Sequence, residues 1–363
     1  MDQPGPTAAA TLDALDAELA EMQLQGHWLN RDGPPAAAHK VAARPYLWRW
    51  RAVQPRLHRA CDLVGVDRGA SRRTLRLCTP GLALKAATHT IHASLQIVMP
   101  GEVAPAHRHS NNAFRFIIRG AASAYTTVEG ERFDLARHDL ILTPPWTWHD
   151  HTNRGDEPVY WIDGHDLPLL RSLSTEFFEP YGDRQQDISR ANGYWRAHAA
   201  NDESFELPPY MGGIPYVYRA AESLAALRGL GAEAHDPTEG RVLAYRNPLD
   251  GGPTMPTIAC RLHLLQPGEV TRRRRHTAST IYHVVSGSGT TIAGDTRLDW
   301  QEGDIFVVPN WTLYGHRAGS DEAVLFSACD DPLFKAIGQY RSLVEPGDDD
   351  PELSERDLMR AER

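Results

Sequence analysis

The sequence has little of what marks secreted, membrane-embedded or disulfide-stabilised proteins. Its 363 residues include only four cysteines, and no two of them form a CxxC pair, so we expect neither a disulfide framework nor a zinc ribbon. No apolar run approaches the length of a membrane span, and residues 1–5 lack the basic-then-apolar order of a signal peptide. We therefore expect a cytoplasmic protein with no membrane partner.

The chain also lacks an excess of positive charge. It carries 38 basic and 47 acidic residues and a formal net charge of −9, whereas a nucleic-acid-binding domain shows a basic stripe. The one local basic run, 272–275, is interpreted as a solvated or acid-paired strand end. We expect no nucleic-acid partner, and the length suffices for two domains or one large double unit.

Three histidines in the segment 101–153 have the spacing of a metal site. His107 and His109 are two positions apart, so on a strand their side chains point to the same face. His149 follows after short alternating runs and turns that can fold back and bring it beside the pair. Three imidazoles suit iron, zinc, copper, nickel or manganese, and ligand softness alone does not choose among them.

These residues resemble the two motifs of the cupin superfamily: a glycine, a short spacer and His-x-His, then a later strand with Asp and Pro that ends in His. The segments PGEVAPAHRHS, FRFIIRG and TPPWTWHDHTN are similar, nearly residue for residue, to the metal-site signature of the gentisate 1,2-dioxygenase family. The resemblance implies an Fe(II)-dependent homotetrameric enzyme that uses O2 to open a 2-hydroxybenzoate between its carboxyl- and hydroxyl-bearing carbons. The substrate would be gentisate or a substituted salicylate such as 5-nitrosalicylate.

The second half of the chain repeats the first. Pro267-Gly268-Glu269-Val270 matches Pro100-Gly101-Glu102-Val103, and His276 matches His109 at the same spacing. Such internal similarity indicates two copies of one unit. We therefore expect a mainly β bicupin, with two antiparallel jelly-roll barrels in one chain and a helical arm at the N-terminus.

The second copy lacks most of the metal-binding histidines. Arg274 stands where the first copy has His107, and Tyr314 stands where it has His149. Only His276 remains, so we expect that the second barrel has lost its metal and serves packing and subunit contacts.

The expected organisation has five segments. These are an N-terminal helical arm over the first barrel or a neighbouring subunit (1–70), a catalytic metal-binding cupin that ends in a helix at 167–178 (71–178), a linker with a helix at 220–228 (179–240), a degenerate cupin (241–345) and a polar tail (346–363).

The resemblance also implies roles, position by position. His107, His109 and His149 would bind Fe(II), and Arg115 would bind the substrate carboxylate, to which its planar fork is well matched. His151 would bond or deprotonate the substrate hydroxyl. The remaining substrate-pocket residues would be Gln96, Asp163 as the acid that orients a histidine, and one of Arg72 and Arg73.

The sequence departs from the family at two points. Many cupins carry a Glu after the His pair, but those positions are Ala113 and Phe114, which leaves the charge of Fe(II) to be balanced by a chelating substrate dianion. Many gentisate dioxygenases carry Trp-Ala-Gly before the pocket glutamine, where this chain has His92 and Ser94 at the Trp and Gly positions. These two residues make salicylate, 5-nitrosalicylate or 1-hydroxy-2-naphthoate plausible beside gentisate.

Two other functions stay open at this point. One is a different cupin enzyme, such as a manganese-dependent decarboxylase or a zinc isomerase, which metal analysis would reveal. The other is a non-enzymatic small-molecule sensor or storage protein, although no convincing helix-turn-helix accompanies the barrels.

Overall fold

The chain forms two compact units, Met1–Lys40 and Val41–Arg363. The computed structural model describes residues 6–29, 42–64, 73–121, 123–201 and 205–346, so the predictions for Arg72 and for the tail at 346–363 fall outside them apart from residue 346. In the first unit, helix α1 (Pro6–Glu21) precedes a 3-10 turn (His27–Leu29), and the Trp28 indole donates to Asp16 Oδ1 at 2.9 Å. Among the described helices, none has the length and apolar character needed to cross a bilayer.

The second unit is built mainly of β-strands. It begins with β1 (Tyr46–Trp48) and α2 (Trp50–Leu63). The elements of the first barrel and its connections follow: β2 (Arg73–Arg76), β3 (His92–Val98), β4 (Val103–His109), β5 (Ala113–Arg119), β6 (Ala124–Val128), β7 (Glu131–Asp134), β8 (Leu140–Thr143), β9 (His149–Asn153), β10 (Val159–His165), α3 (Leu167–Ser172), β11 (Phe178–Pro180), α4 (Tyr194–Asn201) and β12 (Tyr216–Tyr218).

The later elements repeat this arrangement. They are α5 (Ala220–Gly229), a 3-10 turn (Ala232–Ala234), β13 (His235–Asp236), β14 (Gly240–Ala244), β15 (Ala259–Leu265), β16 (Arg274–His276), β17 (Thr280–Ser286), β18 (Ser288–Ala293), β19 (Thr296–Gln301), β20 (Ile305–Val308), β21 (Tyr314–Ala318), β22 (Ala323–Cys329), α6 (Asp331–Ala336) and β23 (Ser342–Val344).

Each barrel consists of two antiparallel sheets. In the first barrel the strand orders are β12-β8-β5-β10-β3-β2 and β11-β4-β9-β6-β7. In the second they are β1-β20-β17-β22-β15-β14-β13 and β19-β18-β21-β16-β23. The predicted mainly β fold with two antiparallel barrels is confirmed. The helix predicted at 167–178 ends at Ser172, because residues 178–180 extend and pair with β4 as β11.

The larger sheets of the two barrels pack against each other through apolar side chains. On β5, Phe114 and Phe116 point toward the second barrel, and the Phe116 ring stacks on Phe326 with centroids 4.0 Å apart. Ile117 points the other way, into the first barrel. This alternation gives the sheet one apolar outer face and one inner face that is available for chemistry.

The strand that precedes each barrel completes the other barrel. Strand β1 pairs with β20 of the second barrel, and β12 pairs with β8 of the first. Helices α2 and α5 follow these strands, and each buries one leucine, Leu57 and Leu227, in the core shared by the barrels. The exchange also has a sequence signal, since Pro45-Tyr46-x-Trp48-Arg49 is similar to Pro215-Tyr216-x-Tyr218-Arg219. Residues 46–63 therefore contact both barrels.

Two buried carboxylates hold the exchanged segments. Asp304 accepts the Trp50 backbone N–H at 2.9 Å and a bond from Arg49 at 3.3 Å. In the same way, Asp139 accepts bonds from the Ala220 backbone N–H at 2.7 Å and from Arg219 at 2.6 Å. Both backbone groups belong to the first residue of a helix, where N–H groups have no intrahelical acceptor, so each carboxylate caps a helix from the opposite half of the chain.

A second reciprocal pair of contacts joins the barrels at the ends of β10 and β22. The Thr257 hydroxyl donates to Asp166 at 2.7 Å, and Thr90 donates to Asp330. Each aspartate also accepts a backbone N–H of its own barrel. The two halves are therefore related by a repeated set of polar contacts as well as by their strands.

We expect Asp304→Ala to lower the free energy of unfolding by about 1–3 kcal/mol, because it leaves a half-buried helix N–H and a partly exposed arginine without their acceptor. Urea unfolding followed by tryptophan fluorescence measures this change. Asp321→Ala, at an exposed loop position, serves as the control and should leave the transition close to that of the wild type. An Asp304→Ala transition that coincides with the control would contradict the role given to this carboxylate.

Candidate metal and substrate site

The three histidines predicted to bind metal converge inside the first barrel. His107 on β4 lies directly opposite His149 on β9, and the pairing of these strands is irregular between Ala104 and His107. The ring centroids of His149 lie 4.2 Å from His107 and 4.7 Å from His109. One nitrogen from each residue lies within 4.8 Å of the others, which is the geometry needed for three ligands on one ion.

Each of these rings is oriented by a backbone carbonyl. Because a carbonyl only accepts, the bonded Nδ1 carries the proton and Nε2 presents its lone pair, the arrangement that fixes metal-binding imidazoles in proteins. The three bonds are His107 Nδ1 to Pro105 O (2.9 Å), His109 Nδ1 to Asn111 O (3.1 Å) and His149 Nδ1 to Thr147 O (2.9 Å).

The electrostatic environment keeps the imidazole of His149 neutral. Burial holds the pKa of His149 well below its usual value, and the neighbouring histidines and Arg115 add to this effect. Its Nε2 is buried and has no hydrogen-bond partner among the described residues. A neutral imidazole with a buried, unused lone pair is suited to a metal, so the three-histidine site could bind a metal ion.

Arg115 lies in the same interior as part of a buried ion pair. It stands opposite Asp163 across β5 and β10, with its Nε 3.2 Å from the Asp163 carboxylate. Arg115 is 1% exposed, and burial lowers its pKa while Asp163 counteracts the shift. The Trp161 indole donates to Asp163 at 2.9 Å, and Arg115 itself donates to Thr143. The guanidinium is therefore held in place before any ligand binds.

Strand β3 contributes the predicted pocket residues Gln96, Ser94 and His92. They share the inner face of the sheet, since the alternate residues Leu95 and Ile97 lie in the core between the barrels. Gln96 is buried, and its Nε2 has no partner in the described part of the chain. A buried amide donor without an acceptor is available to a ligand.

His151 lies two residues beyond the third ligand, on the same face of β9. Its Nδ1 is 2.8 Å from the hydroxyl of Thr126, and its ring centroid is 5.1 Å from Trp161 and 5.9 Å from His149. The structure thus brings His151 beside the triad.

Arg73 is not brought to the triad. Its position pairs with Ile97, whose side chain faces the core between the barrels, and its guanidinium forms an ion pair with Glu102 and contacts the Cys61 carbonyl at 3.4 Å. The alternative, Arg72, lies outside the described residues.

Two residues that the sequence did not single out also lie beside the triad. His165 lies two positions after Asp163, so the period of a strand places it on the same face, and its ring is 5.7 Å from His109. Phe178 stacks on His107 with centroids 5.1 Å apart although it is 66% exposed. No local signal identified Phe178, because its segment had the pattern of a helix.

The second barrel fills the equivalent space with hydrogen bonds. The Tyr314 hydroxyl lies 3.0 Å from Arg274 Nε, 3.1 Å from His276 Nε2 and 3.1 Å from the Tyr282 hydroxyl. Arg274 is further paired with Glu239. Across the residues that the structure describes, His107, His109 and His149 form the one group with the spacing of a metal site.

Comparison with known proteins agrees with this geometry. The family model described as "Cupin domain" matches residues 94–165 and 261–328. A 5-aminosalicylate 1,2-dioxygenase from Comamonas sp is 41% identical over 339 residues, which cover 91% of this chain and 89% of the relative. The chain belongs to the family of gentisate- and salicylate-type ring-cleaving 1,2-dioxygenases. It is accordingly an enzyme of this kind.

Other members of the dioxygenase family match over similar lengths. Gentisate 1,2 dioxygenase 1 from Aquipseudomonas alcaligenes is 40% identical and covers 83% of this chain and 87% of its own. The crystal structure of salicylate 1,2-dioxygenase from Pseudoaminobacter salicylatoxidans with gentisate superposes with a TM-score of 0.81, at 30% identity and 96% coverage of both chains.

We expect this dioxygenase to bind about one metal ion per chain, since only the first barrel keeps its three histidines. His107→Ala removes one ligand and should lower metal affinity by at least about tenfold. His276→Ala, which removes the surviving histidine of the second barrel, should leave the metal content unchanged. Mass spectrometric metal analysis after dialysis measures both. Loss of metal in His276→Ala with retention in His107→Ala would move the site to the second barrel.

Proposed function

We propose that this enzyme uses Fe(II) and O2 to open the ring of a 2-hydroxybenzoate between the carbons that carry the carboxyl and hydroxyl groups. His107, His109 and His149 would hold the metal. The substrate would be gentisate or a substituted salicylate such as 5-nitrosalicylate. The observation that carries this proposal is the presence, in one buried interior, of three imidazoles with ligand atoms within 4.8 Å of one another and a pre-positioned arginine.

The donor set fits a divalent transition metal whose positive charge is balanced by an anionic substrate. Three neutral nitrogens leave the charge of the ion unbalanced, and a 2-hydroxybenzoate dianion can supply two negative oxygens. When bound, Fe(II) would provide adjacent positions for substrate and O2 and would pass electron density between them. The relatives support the substrate class, because their names include 5-aminosalicylate, gentisate and 1-hydroxy-2-naphthoate.

Arg115 would bind the substrate carboxylate. A guanidinium can donate two parallel bonds to a carboxylate, and Asp163 and Thr143 already restrict its rotation. Binding thus fixes the plane of the ring relative to the triad. The buried donor Gln96 Nε2 would add a polar contact on the same wall of the pocket.

His151 would accept the proton of the substrate hydroxyl. Thr126 fixes the orientation of its ring through Nδ1, so Nε2 is the atom assigned to the proton transfer. Because Thr126 and His151 lie opposite each other on β6 and β9, the position of this ring depends on the pairing of these strands.

The assembly, location and domain limits form part of the proposal. By likeness to the family we assign a homotetramer in the cytoplasm, with residues 71–178 as the catalytic barrel and 241–345 as the barrel without metal. Light scattering after size-exclusion chromatography would test the assembly.

The reaction itself is tested by oxygen uptake. Fe(II)-loaded protein should consume O2 with gentisate or a substituted salicylate, and product spectra should show ring opening. His107→Ala should lose this activity, because two imidazoles leave the metal weakly held. Release of CO2 without O2 uptake would favour a decarboxylase, and neither reaction despite bound metal would favour a binding protein.

Replacing Arg115 tests the carboxylate contact. Arg115→Lys keeps the charge but loses the planar fork, and it should lower kcat/KM by about a hundredfold, mostly through a higher KM. Arg119→Lys, on the same strand but half exposed, is the matched control and should change little. Equal, small effects of the two substitutions would remove Arg115 from the site.

A further inference from the structure

The inner wall formed by β3 and β10 extends beyond the residues that the proposed reaction uses. The strands pair Gln96 with Trp161, Ser94 with Asp163, and His92 with His165. The first two pairs border His151 and Arg115. The third pair lies at the far end of the wall, and the proposed chemistry gives it no task.

This third pair is connected to the metal site by ring contacts. The rings of His92 and His165 stack with centroids 5.6 Å apart and planes 23° apart. On its other side, the His165 ring lies 5.7 Å from the ring of His109. A substrate ring held at the triad would therefore have this histidine pair at its edge.

His92 has hydrogen-bonding capacity that the protein does not use. Both of its ring nitrogens are buried, and neither has a hydrogen-bond partner among the described residues. Burial, with smaller contributions from Arg76 and Arg171, lowers its pKa to about 4. At neutral pH the ring is thus uncharged and offers one donor and one acceptor. Buried polar groups of this kind are normally satisfied, in many cases by a ligand.

We propose that His92, supported by His165, forms a subsite for a hydrogen-bonding substituent on the substrate ring. A hydroxyl or amino group can donate to the unprotonated nitrogen of an imidazole or accept from its N–H, whereas a ring hydrogen or a fused apolar ring can do neither. The enzyme should therefore prefer hydroxy- or amino-substituted 2-hydroxybenzoates to salicylate and to 1-hydroxy-2-naphthoate. This inference rests on the proposed function and narrows its substrate class.

The test combines binding with turnover. Anaerobic titration calorimetry of the Fe(II)-loaded protein gives the Kd of gentisate, 5-aminosalicylate and salicylate, and oxygen uptake gives kcat/KM for the same compounds. His92→Phe keeps a flat ring without polar atoms. It should raise the Kd and lower the kcat/KM of gentisate and of 5-aminosalicylate about tenfold. For salicylate, both values should stay within about twofold of those of the wild type.

Two further variants separate recognition from packing. His92→Gln retains a donor and an acceptor and should restore part of the preference that His92→Phe loses. His235→Phe makes the same substitution at an exposed histidine on β13 and serves as the control. Thermal unfolding of each variant reports whether the barrel is intact.

The outcomes distinguish the two proposals. Turnover of all three compounds with equal loss in His92→Phe would overturn the subsite and leave the dioxygenase proposal standing. Selective binding without O2 consumption would overturn the dioxygenase proposal and support the subsite. Failure of all three compounds to bind the metal-loaded wild type would overturn both.

Discussion

The site depends on the burial of one sheet on both of its faces. In β5, Phe116 stacks on Phe326 of the second barrel while Arg115 faces the three histidines of the candidate metal site. A shift of the pairing by one residue would exchange these faces and place the guanidinium between the barrels. The apolar contact thus sets the register on which the chemistry depends. The second barrel, which lacks the triad, contributes to the site by holding this sheet in register.

The two barrels fill the same interior in opposite ways. In the second, the Tyr314 hydroxyl is hydrogen-bonded to Arg274, His276 and Tyr282, so the space is closed by the protein itself. In the first, His149 and Gln96 keep buried atoms that have no partner among the described residues, and each such group costs about 1–3 kcal/mol. A structure tolerates this cost where a ligand restores the bonds. The first interior is therefore organised for binding, and the second for stability.

Period-two reasoning predicted much of the site from the sequence. It placed His107 and His109 on one face, and Arg115 with them, because strand alternation is a local property of the backbone. It could not place Arg73, since the start of β2 decides which of two adjacent arginines faces inward. The helix predicted over the segment of Phe178 is wrong there, because pairing with the edge of β4 is a tertiary contact that outweighs local propensity. The capping by Asp139 and Asp304 was equally invisible, since its partners are distant in the chain.

Because the strand that precedes each barrel completes the other barrel, neither barrel is a unit of the fold by itself. The expected linker 179–240 carries β12, which completes the first barrel by covering the edge of β8, and α5, which follows it. The expected arm carries β1, which covers the edge of β20 in the second barrel. An uncovered edge strand presents unpaired backbone groups and invites aggregation. A catalytic barrel cut at residues 71–178 would expose such an edge and lose the helix that Asp139 caps. The candidate site is thus a property of both halves together, although its three histidines and Arg115 come from one.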